Sequence, residues 1–445
     1  MSSLEVNMLD IGKKAKISGI KLSSSKIDVR NNILEEIIKE LRIYRDEILD
    51  SNSKDVKYSL ENGLSESLIM RLKFDESKFE SCIKSIENVI ELDDPIGKVT
   101  LSNEITSNGL KLYRKTCPIG VILIIFESRP EVVIQIASLT IKSGNSVILK
   151  GGKEAVNTNT VMMKCLNNAI KNSCGKYKNI DHNIVQIVYN HDEIDELLLL
   201  NDYIDLIIPR GSGKLVNSIK KRTSIPVLGH SDGVCMIYLH YDSNINDALD
   251  IVIDSKTDYP SACNSVETLL VHKKILNTFL PLLEERINQL GIKLIYHADE
   301  YCINYLGKNN NSCVFKLSES LYHHEFGSLE ICIKSVDDID EAISHINKYS
   351  SHHTDVILTK DESIASKFIS EVDSACVFHN CSTRFSDGYR FGFGTEIGIS
   401  TSRIHARGPV GLEGLLTYKY ILRGNGQTIK KYKDGAFEFT RKQIK

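Results

Sequence analysis

The length, composition and charge of the chain limit what kind of protein it can be. Its 445 residues exceed what one ordinary hydrophobic core holds, so two or three domains are expected. Hydrophobic residues make up 42% of the chain and charged residues 25%, which is typical of a globular protein. The formal net charge of -3, without a basic block, argues against a nucleic-acid partner.

The cysteines and histidines bear on the cellular location and on metal binding. The eleven cysteines form no C-x-x-C pair and no secretory leader precedes them, so we expect free thiols and a cytoplasmic location. The thirteen histidines show no metal-ligand spacing, and we assign no metal. The longest apolar run, residues 119–126, is about a third of a membrane span, which predicts a buried strand and no membrane partner.

Two amphipathic helices are predicted near the N-terminus. Over residues 27–50, apolar side chains recur at three-and-four spacing with charged residues on the opposite face. Residues 75–92 repeat this pattern and end just before a proline. Both helices are expected to pack against a core and to carry no chemistry.

The pattern then changes to that of strands. Alternation over residues 107–114 predicts an exposed antiparallel strand. The continuous apolar run that follows, and a second one at 146–150, must be covered on both faces, which predicts a parallel sheet flanked by helices. The order strand, helix, strand is the βαβ unit of a nucleotide-binding sheet.

Two glycine turns with basic residues follow predicted strands. Residues 151–154 (GGKE) come after the strand that ends at Lys150, and residues 210–214 (RGSGK) come after an apolar strand at 203–209. A helix predicted from residue 215 would direct its free N–H groups at an anion there. Each turn alone is about as compatible with an ordinary polar loop. Because no complete G-x-G-x-x-G or Walker sequence is present, the pair predicts an unusual dinucleotide site.

A second α/β set follows a boundary near residues 231–233. Its strands are predicted over 234–239, 269–272 and 328–336, and its helices over 246–255, 274–289 and 339–347. Residues 388–414 are rich in glycine and carry Arg and His side chains. Such a loop is most often irregular surface, but this one would suit an anionic substrate.

Cys263 is the candidate nucleophile of this second set. It lies in residues 259–270 (YPSACNSVETLL), and we predict that it sits at or near the start of a helix. Free N–H groups and the positive helix end would favour its thiolate and steady an oxyanion. The alternative is that Cys263 is a small buried hydrophobic residue, like most free cysteines.

Several segments together carry a family likeness. They are FESRPEVVIQIASLTIKSGNSVILKGGKEA, DLIIPRGSGKLV, IPVLGHSDG, YPSACNSVETLLVH and VDSACVFHNCSTRFSDGYRFGFGTEIGISTSRIHARGPVGLEGLLTYKY. The chain resembles γ-glutamyl phosphate reductases, and is most similar to the second half of bifunctional pyrroline-5-carboxylate synthases. The likeness runs over about residues 12–427, and no amino-acid kinase segment precedes it, so a stand-alone reductase is expected.

The resemblance implies an α/β, aldehyde-dehydrogenase-like fold. It has two doubly wound α/β domains, one dinucleotide-binding and one catalytic, and a β oligomerisation arm. The expected limits are 1–106 and 118–232 for the dinucleotide-binding domain, 233–400 for the catalytic domain, 107–117 and 416–430 for the arm, 401–415 for a substrate-side loop and 431–445 for a flexible tail.

The resemblance also implies an activity. This is NADPH-dependent reduction of γ-glutamyl 5-phosphate to glutamate 5-semialdehyde with release of phosphate, through a Cys263 thioester, as the second step of proline biosynthesis. A homodimer or homotetramer is expected, with functional coupling to a separate glutamate 5-kinase. The alternatives are an acid-forming aldehyde dehydrogenase that uses NAD or NADP, and a non-catalytic regulatory partner of a glutamate kinase.

The implied site residues fall into three groups. The catalytic residues are Cys263 and Asn264, although the Asn264 side chain could equally cap the local turn. The cofactor-binding residues are Lys150, Gly151, Lys153, Arg210, Gly211, Ser212, Gly213, Glu325 and Phe326. The substrate-binding residues are Ser128, Arg129, Arg403, His405 and Arg407.

Two positions favour the reductase over the acid-forming dehydrogenase. Aldehyde dehydrogenases place a water-activating glutamate where this chain resembles them at Val227, which cannot activate water. Many NAD-using relatives place an acidic residue where this chain has Lys153, and a lysine would attract the 2′-phosphate of NADPH.

Overall fold

A computed structural model describes residues 7–178, 180–189, 193–230, 232–307, 313–435, 438–440 and 442–444. Ser231, at the predicted domain boundary, and four residues of the predicted tail lie outside these ranges. No helix in the described ranges is long and apolar enough to cross a membrane.

The helices alternate with strands along most of the chain. The α-helices, in chain order, are α1 Met8–Ser23, α2 Ile27–Ile43, α3 Arg45–Glu61, α4 Glu66–Leu72, α5 Glu76–Glu91, α6 Glu131–Lys142, α7 Val156–Lys176, α8 Glu193–Leu197, α9 Gly213–Arg222, α10 Ile245–Thr257, α11 Leu276–Gln289, α12 Ile339–Tyr349, α13 Glu362–Glu371 and α14 Ile429–Lys433.

The strands are short, as is usual in α/β proteins. They are β1 Val99–Glu104, β2 Lys111–Pro118, β3 Val121–Phe126, β4 Ser146–Lys150, β5 Val185–Val188, β6 Leu206–Arg210, β7 Cys235–Leu239, β8 Val266–His272, β9 Ile295–Ala298, β10 Cys313–Lys316, β11 Glu330–Val336, β12 Thr354–Leu358, β13 Cys376–His379, β14 Gly398–Ser400, β15 Gly408–Val410, β16 Leu416–Arg423 and β17 Lys442–Gln443.

The first parallel sheet has the strand order β5-β4-β3-β6. Every residue of β3 is buried because both faces are covered. Ile122 and Ile124 join the core formed with α2, α5, α6 and α7, whereas Leu123 and Ile125 face the core formed with α1, α8 and α9. Fully burying one such side chain contributes roughly 1.5–3 kcal/mol. The continuous apolar run therefore folds as the predicted two-sided parallel strand.

The second parallel sheet has the order β10-β9-β11-β8-β7-β12-β13. It is doubly wound in the same way. Ile237 and Leu239 of β7 pack towards α10 and α11, and Met236 and Tyr238 pack towards α12 and α13. The chain thus contains two doubly wound α/β units.

A separate antiparallel sheet has the order β16-β2-β1-β17. The predicted pairing partners, β2 and β16, run antiparallel from Leu416↔Pro118 to Arg423↔Lys111. Strand β1, which the sequence analysis placed in the dinucleotide-binding segment, pairs with β2 instead. Strand β17, from the predicted flexible tail, pairs with β1. The domain limits themselves stay a prediction.

The predicted helix over residues 27–50 was wrong in one respect. Helix α2 ends at Ile43, and α3 begins at Arg45 after Tyr44 leaves the helical conformation with φ -98° and ψ 12°. Ile48 belongs to α3 but packs in the same core as Ile37 of α2. Because both helices cover that core, the apolar spacing continues across the break and hides it.

Candidate active site

A cleft of about 580 Å³ lies between the two parallel sheets. One wall is formed by the end of β6 and the turn into α9, which includes Gly211 and Ser212. The opposite wall comes from loops that precede strands of the second sheet, and it includes Cys263, Glu325 and Phe326. The Arg210 turn, the Cys263 segment and the Glu325–Phe326 pair therefore meet in one place, whereas Lys150, Gly151 and Lys153 do not line this cleft.

Cys263 does not begin a helix, so that prediction was wrong. It lies in a pair of tight turns in which Ala262 N–H donates to Tyr259 O (3.0 Å) and Ser265 N–H donates to Ala262 O (2.9 Å). The apolar run after it forms the fully buried strand β8. The central position of that strand decides its conformation, because pairing with β7 and β11 satisfies its backbone groups. A helix dipole therefore cannot activate this thiol.

Two histidines, and not a helix end, favour the thiolate form of Cys263. Burial raises the pKa of the Cys263 thiol, but the nearby imidazoles of His353 and His230 outweigh burial and bring the pKa well below its ordinary value. Burial lowers the pKa of His230, but the Cys263 sulfur and the hydrogen bond to Ile399 outweigh it and raise that pKa to about 9. The pair is therefore best described as a thiolate beside an imidazolium.

The two imidazole rings are held from different elements. The Nδ1–H of His230 donates to the Ile399 carbonyl at 3.0 Å. His353, just before β12, is fully buried, and its Nδ1 lies 2.8 Å from Thr354 Oγ1. The rings meet edge to face with centroids 5.2 Å apart. Sequence analysis missed both as active-site residues, because only the fold brings them next to Cys263.

Gly233 allows the backbone to approach the candidate nucleophile closely. A Cβ there would lie 2.2 Å from the Cys263 carbonyl oxygen and 2.6 Å from the Cys263 Cβ. The Gly233 N–H donates to Glu325 Oε2 at 2.9 Å. Since contacts below 3.0 Å to backbone cannot be relieved by a rotamer change, any side chain at residue 233 would displace Cys263.

A buried ion pair supports the neighbouring loop. Lys256 Nζ lies 2.7 Å from Glu267 Oε2, and both side chains are 1% exposed. The other Glu267 oxygen accepts a bond from Gly327 N–H at 3.4 Å. Burial raises the pKa of Glu267 to about 7, although Lys256 acts against that rise. The pair fixes the turn that carries Glu325 and Phe326 against strand β8.

The cleft is rich in cationic side chains. Four arginines line it: Arg71, Arg129, Arg210 and Arg384. Arg384 is held by Asp258, with Nε and Oδ2 3.1 Å apart. Arg71, Arg129 and Arg210 have no ion-pair partner among the described residues. Three unpaired guanidinium groups beside a reactive thiol indicate an anionic ligand.

Comparisons with known proteins point to the same chemistry. The aldehyde dehydrogenase family model matches residues 11–298. A γ-glutamyl phosphate reductase of Brachyspira hyodysenteriae is 46% identical over 444 residues, covering 99% of this chain and 100% of that protein. The chain belongs to the γ-glutamyl phosphate reductase family. The resemblance stated from the sequence is confirmed.

Two further relatives describe the extent of this similarity. The crystal structure of γ-glutamyl phosphate reductase from Thermotoga maritima has a TM-score of 0.89 and 37% identity, covering 95% of this chain and all of that one. The Δ1-pyrroline-5-carboxylate synthase 1 of rice is 43% identical over 442 residues, which are 98% of this chain and 59% of that protein. The predicted aldehyde-dehydrogenase-like α/β fold class is confirmed.

The two glycine turns both follow strands of the first parallel sheet. The Lys150 turn follows β4 and the Arg210 turn follows β6, on either side of β3, so the strand order reverses between β3 and β6. Ser212 caps α9 by accepting from Leu215 N–H at 3.4 Å. Lys153 is exposed, whereas Lys150 is buried and donates to the Gly151 carbonyl at 2.7 Å. Ligands of open α/β sheets bind at such reversal points.

Three of the predicted substrate residues lie elsewhere. Arg403 and Arg407 both pair with Asp373, and His405 Nε2 lies 2.7 Å from the Gly414 carbonyl. None of the three lines the cleft. Their density in a glycine-rich loop suggested an anion site, but both arginines pair with the Asp373 carboxylate of the same chain, away from the cleft. Arg71 takes their place, and nothing in the sequence around it marks it.

Two more predicted residues have different contacts from those expected. Ser128 is 2% exposed and donates from Oγ to Glu154 Oε1 at 3.0 Å, so it holds a turn and does not line the cleft. Asn264 lines the cleft, but its side-chain NH₂ group donates to the Ser386 carbonyl at 3.0 Å. That amide ties the nucleophile turn to a neighbouring loop and is not directed at an oxyanion. Arg129 is the predicted substrate residue that does line the cleft.

Proposed function

We propose that the chain reduces γ-glutamyl 5-phosphate to glutamate 5-semialdehyde, with NADPH as the hydride donor and release of inorganic phosphate. This would be the second step of proline biosynthesis. The observation that carries the proposal is a thiolate, Cys263, paired with an imidazolium in a cleft that holds three unpaired arginines. The names of the relatives supply the identity of the substrate.

The first step is thiolate attack on the acyl carbon. A C–S bond forms, the C–O bond to phosphate breaks, and the phosphate leaves with the bonding electrons. The proton that it needs comes from the His230 imidazolium, which faces the reacting sulfur. Arg71 and Arg129 neutralise the phosphate and the substrate carboxylate. Cys263 is left as a thioester beside a neutral imidazole.

The residues around the β3–β6 reversal fit a nicotinamide dinucleotide. The N-terminus of α9 and the turn of Arg210, Gly211, Ser212 and Gly213 would hold its pyrophosphate, and Gly211 to Gly213 open into the cleft. Glu325 and Phe326 would hold the nicotinamide end near Cys263, and Lys153 would pair with a 2′-phosphate. When bound, the dinucleotide would supply the hydride that converts the thioester to the alkoxide form of a hemithioacetal, which needs no added proton before it collapses.

Release of the product regenerates the thiolate. The hemithioacetal on Cys263 collapses, its C–S bond breaks, and the aldehyde departs. His230 then regains a proton from solvent through the cleft. The charge on Cys263 is stabilised at the end of the cycle by the same two imidazoles that stabilise it at the start.

Val227 supports a reductase over an acid-forming dehydrogenase. It is partly buried against the core of the first sheet and forms a parallel bridge with Ile207. A valine there can neither accept a proton from water nor direct water at a thioester. Hydrolysis, which would waste the intermediate, is therefore slow, and hydride transfer is favoured.

The same proposal covers assembly and location. Strand β16 is an edge of the antiparallel sheet and exposes Tyr418, Tyr420 and Leu422 by more than half. Such an edge suits pairing with a second copy, in a homodimer or homotetramer. The fused synthase of rice supports functional coupling to a glutamate 5-kinase. The eleven cysteines, all within the described ranges, are free, which fits a cytoplasmic protein.

The test is the phosphate dependence of the reverse reaction. The purified protein should reduce NADP only when glutamate semialdehyde and inorganic phosphate are both present, because phosphate must cleave the thioester. Equal rates without phosphate would instead indicate an acid-forming dehydrogenase. Cys263→Ala should abolish the reaction. If proline synthesis in cells survived that change, the regulatory role would gain over the catalytic one.

A further inference from the structure

Three good ligands for a transition-metal ion converge at the base of the cleft. His230, Cys263 and His353 each offer one ligand atom, and these atoms all lie within 4.8 Å of one another. Two imidazoles and a thiolate are a ligand set that favours zinc, and three protein ligands with an open fourth position are typical of zinc sites that exchange ligands. The sequence assigned no metal because the three residues are far apart along the chain.

The ring nitrogens are arranged as they are around bound metals. His230 donates its Nδ1–H to the Ile399 carbonyl, which leaves Nε2 as the nitrogen that can bind a metal once its proton is lost. His353 Nδ1 contacts Thr354 Oγ1, while its Nε2 is buried and has no hydrogen-bond partner among the described residues. Metal-ligating histidines usually bond a carbonyl or hydroxyl through the other nitrogen in this way.

Space and access also suit an ion. His230 and Cys263 line the cleft, so a metal bound to them would have its fourth position open to water or a small anion. Ligand atoms around tetrahedral zinc lie about 3.4 Å apart, given Zn–N distances near 2.1 Å. The ligand atoms, which here lie within 4.8 Å of one another, need only a small side-chain adjustment to close on an ion.

We propose that His230, Cys263 and His353 form an inhibitory site for Zn²⁺. Binding forms a Zn–S bond to the Cys263 thiolate and a Zn–N bond to His230, and the proton that the His230 imidazolium held on Nε2 is released to solvent. The metal then coordinates the Cys263 sulfur, which attacks the acyl phosphate, and the His230 imidazole, which protonates the leaving phosphate. Neither group can react while the metal is bound. Zinc binding can be measured without turnover, so it can be tested separately from the reductase activity.

The test is zinc binding by the full-length protein, freed of metal and competed against a fluorescent zinc indicator. One equivalent should bind, and Zn²⁺ should protect Cys263 from alkylation by iodoacetamide, whereas Mg²⁺ should not. Cys263→Ser and His230→Gln should each weaken binding at least tenfold. Cys313→Ser, which changes an exposed thiol, should leave it unchanged. Cobalt should give a sulfur-to-metal absorption band that Cys263→Ser removes.

Activity then tests the inhibitory part. Phosphate-dependent NADP reduction should fall as the site fills and should return when EDTA is added. Zinc bound with equal affinity by Cys263→Ser, or no bound zinc at all, would overturn the site. Zinc bound without loss of activity would overturn the inhibition. Absence of activity before zinc is added would count against the proposed reductase, and not against the metal site.

Discussion

The two parallel sheets meet the cleft with opposite ends of their strands. The first sheet presents carboxyl ends, where the turn after β6 leads into helix α9 at Gly213. The second sheet presents amino ends, since Gly233, Cys263 and His353 precede β7, β8 and β12. At carboxyl ends, helix N-termini offer N–H groups and positive potential to an anion. At amino ends, the nearest helix ends are C-termini, and the C-terminus of α10 is the one closest to Cys263 along the chain. Because a helix C-terminus carries negative potential, positive charge there has to come from side chains.

This contrast explains why the thiol is activated by imidazoles. A cysteine at the carboxyl end of the first sheet would have had a helix N-terminus beside it. At the amino end of β8, the imidazoles of His230 and His353 are the main groups that oppose the effect of burial on the thiol pKa. In the proposed reaction, backbone N–H groups at the first sheet bind the dinucleotide, and side chains at the second sheet carry out the chemistry. The five predictions below challenge that division, from the largest expected effect to the smallest.

The amino-end loops depend on a buried ion pair. Lys256→Met should lower the free energy of unfolding by about 3–5 kcal/mol, because it leaves Glu267 buried without its partner. The double variant Lys256→Met, Glu267→Leu should recover most of that loss. Chemical denaturation followed by fluorescence measures both. Lys348→Met removes an exposed pair with Glu319 and should change the free energy of unfolding far less, because solvent screens that pair. Equal losses for the two lysine variants would contradict this role.

Close backbone approach at Gly233 should be essential for placing the thiol. Gly233→Ala should reduce kcat/KM roughly 100-fold, because the new Cβ displaces Cys263 by a fraction of an ångström or more. Gly175→Ala is the matched control, since a Cβ there meets nothing within 4 Å. Initial rates of phosphate-dependent NADP reduction give the comparison. Full activity in Gly233→Ala would show that the turn can move without harm.

Imidazole activation has a pH signature. In the native protein, alkylation of Cys263 by iodoacetamide should vary little over about pH 6 to 8, because the pKa of its thiol is well below the ordinary value. His230→Gln removes a positive charge, so the thiol pKa rises and the rate should drop roughly tenfold at the acidic end. The exposed His182→Gln serves as control. If the alkylation rate of His230→Gln also varied little with pH, His353 alone would be enough to keep the thiol pKa low.

The same pair predicts the basic limb of the activity profile. His230 donates a proton to phosphate only while it is protonated, and its pKa is raised to about 9. The rate of acyl-phosphate reduction should therefore fall as the pH passes about 9. In His230→Gln this limb should be absent and the rate uniformly lower. A limb that persisted at the same pH would assign it to another group.

The smallest effect is expected at the carboxyl end of the first sheet. Lys153→Glu should lower the preference for NADPH over NADH about tenfold, because an exposed lysine interacts with a 2′-phosphate through solvent. Steady-state kcat/KM values for the two cofactors measure the preference. Lys26→Glu makes the same charge change at a distant exposed position and should leave the ratio unchanged. An unaltered ratio in Lys153→Glu would place the 2′-phosphate elsewhere.

The sequence alone determined the parts of the protein that depend on local pattern. The continuous apolar run of β3 required two covered faces, and the basic glycine turns required strand ends before them, because those properties belong to neighbouring residues. The combined motifs also identified the family and selected Cys263. Val227 favoured the reductase over the acid-forming dehydrogenase, because the sequence itself shows that this position has no carboxylate.

Only the tertiary structure decided what surrounds Cys263. Whether residues after it formed a helix or a strand depended on β7 and β11, which pair with β8 from distant parts of the chain. Arg403 and Arg407 both pair with Asp373, whereas Arg71 lines the cleft. The two imidazoles arrive from other loops. Electrostatic activation acts over a few ångströms in space, so a spacing along the sequence does not reveal it.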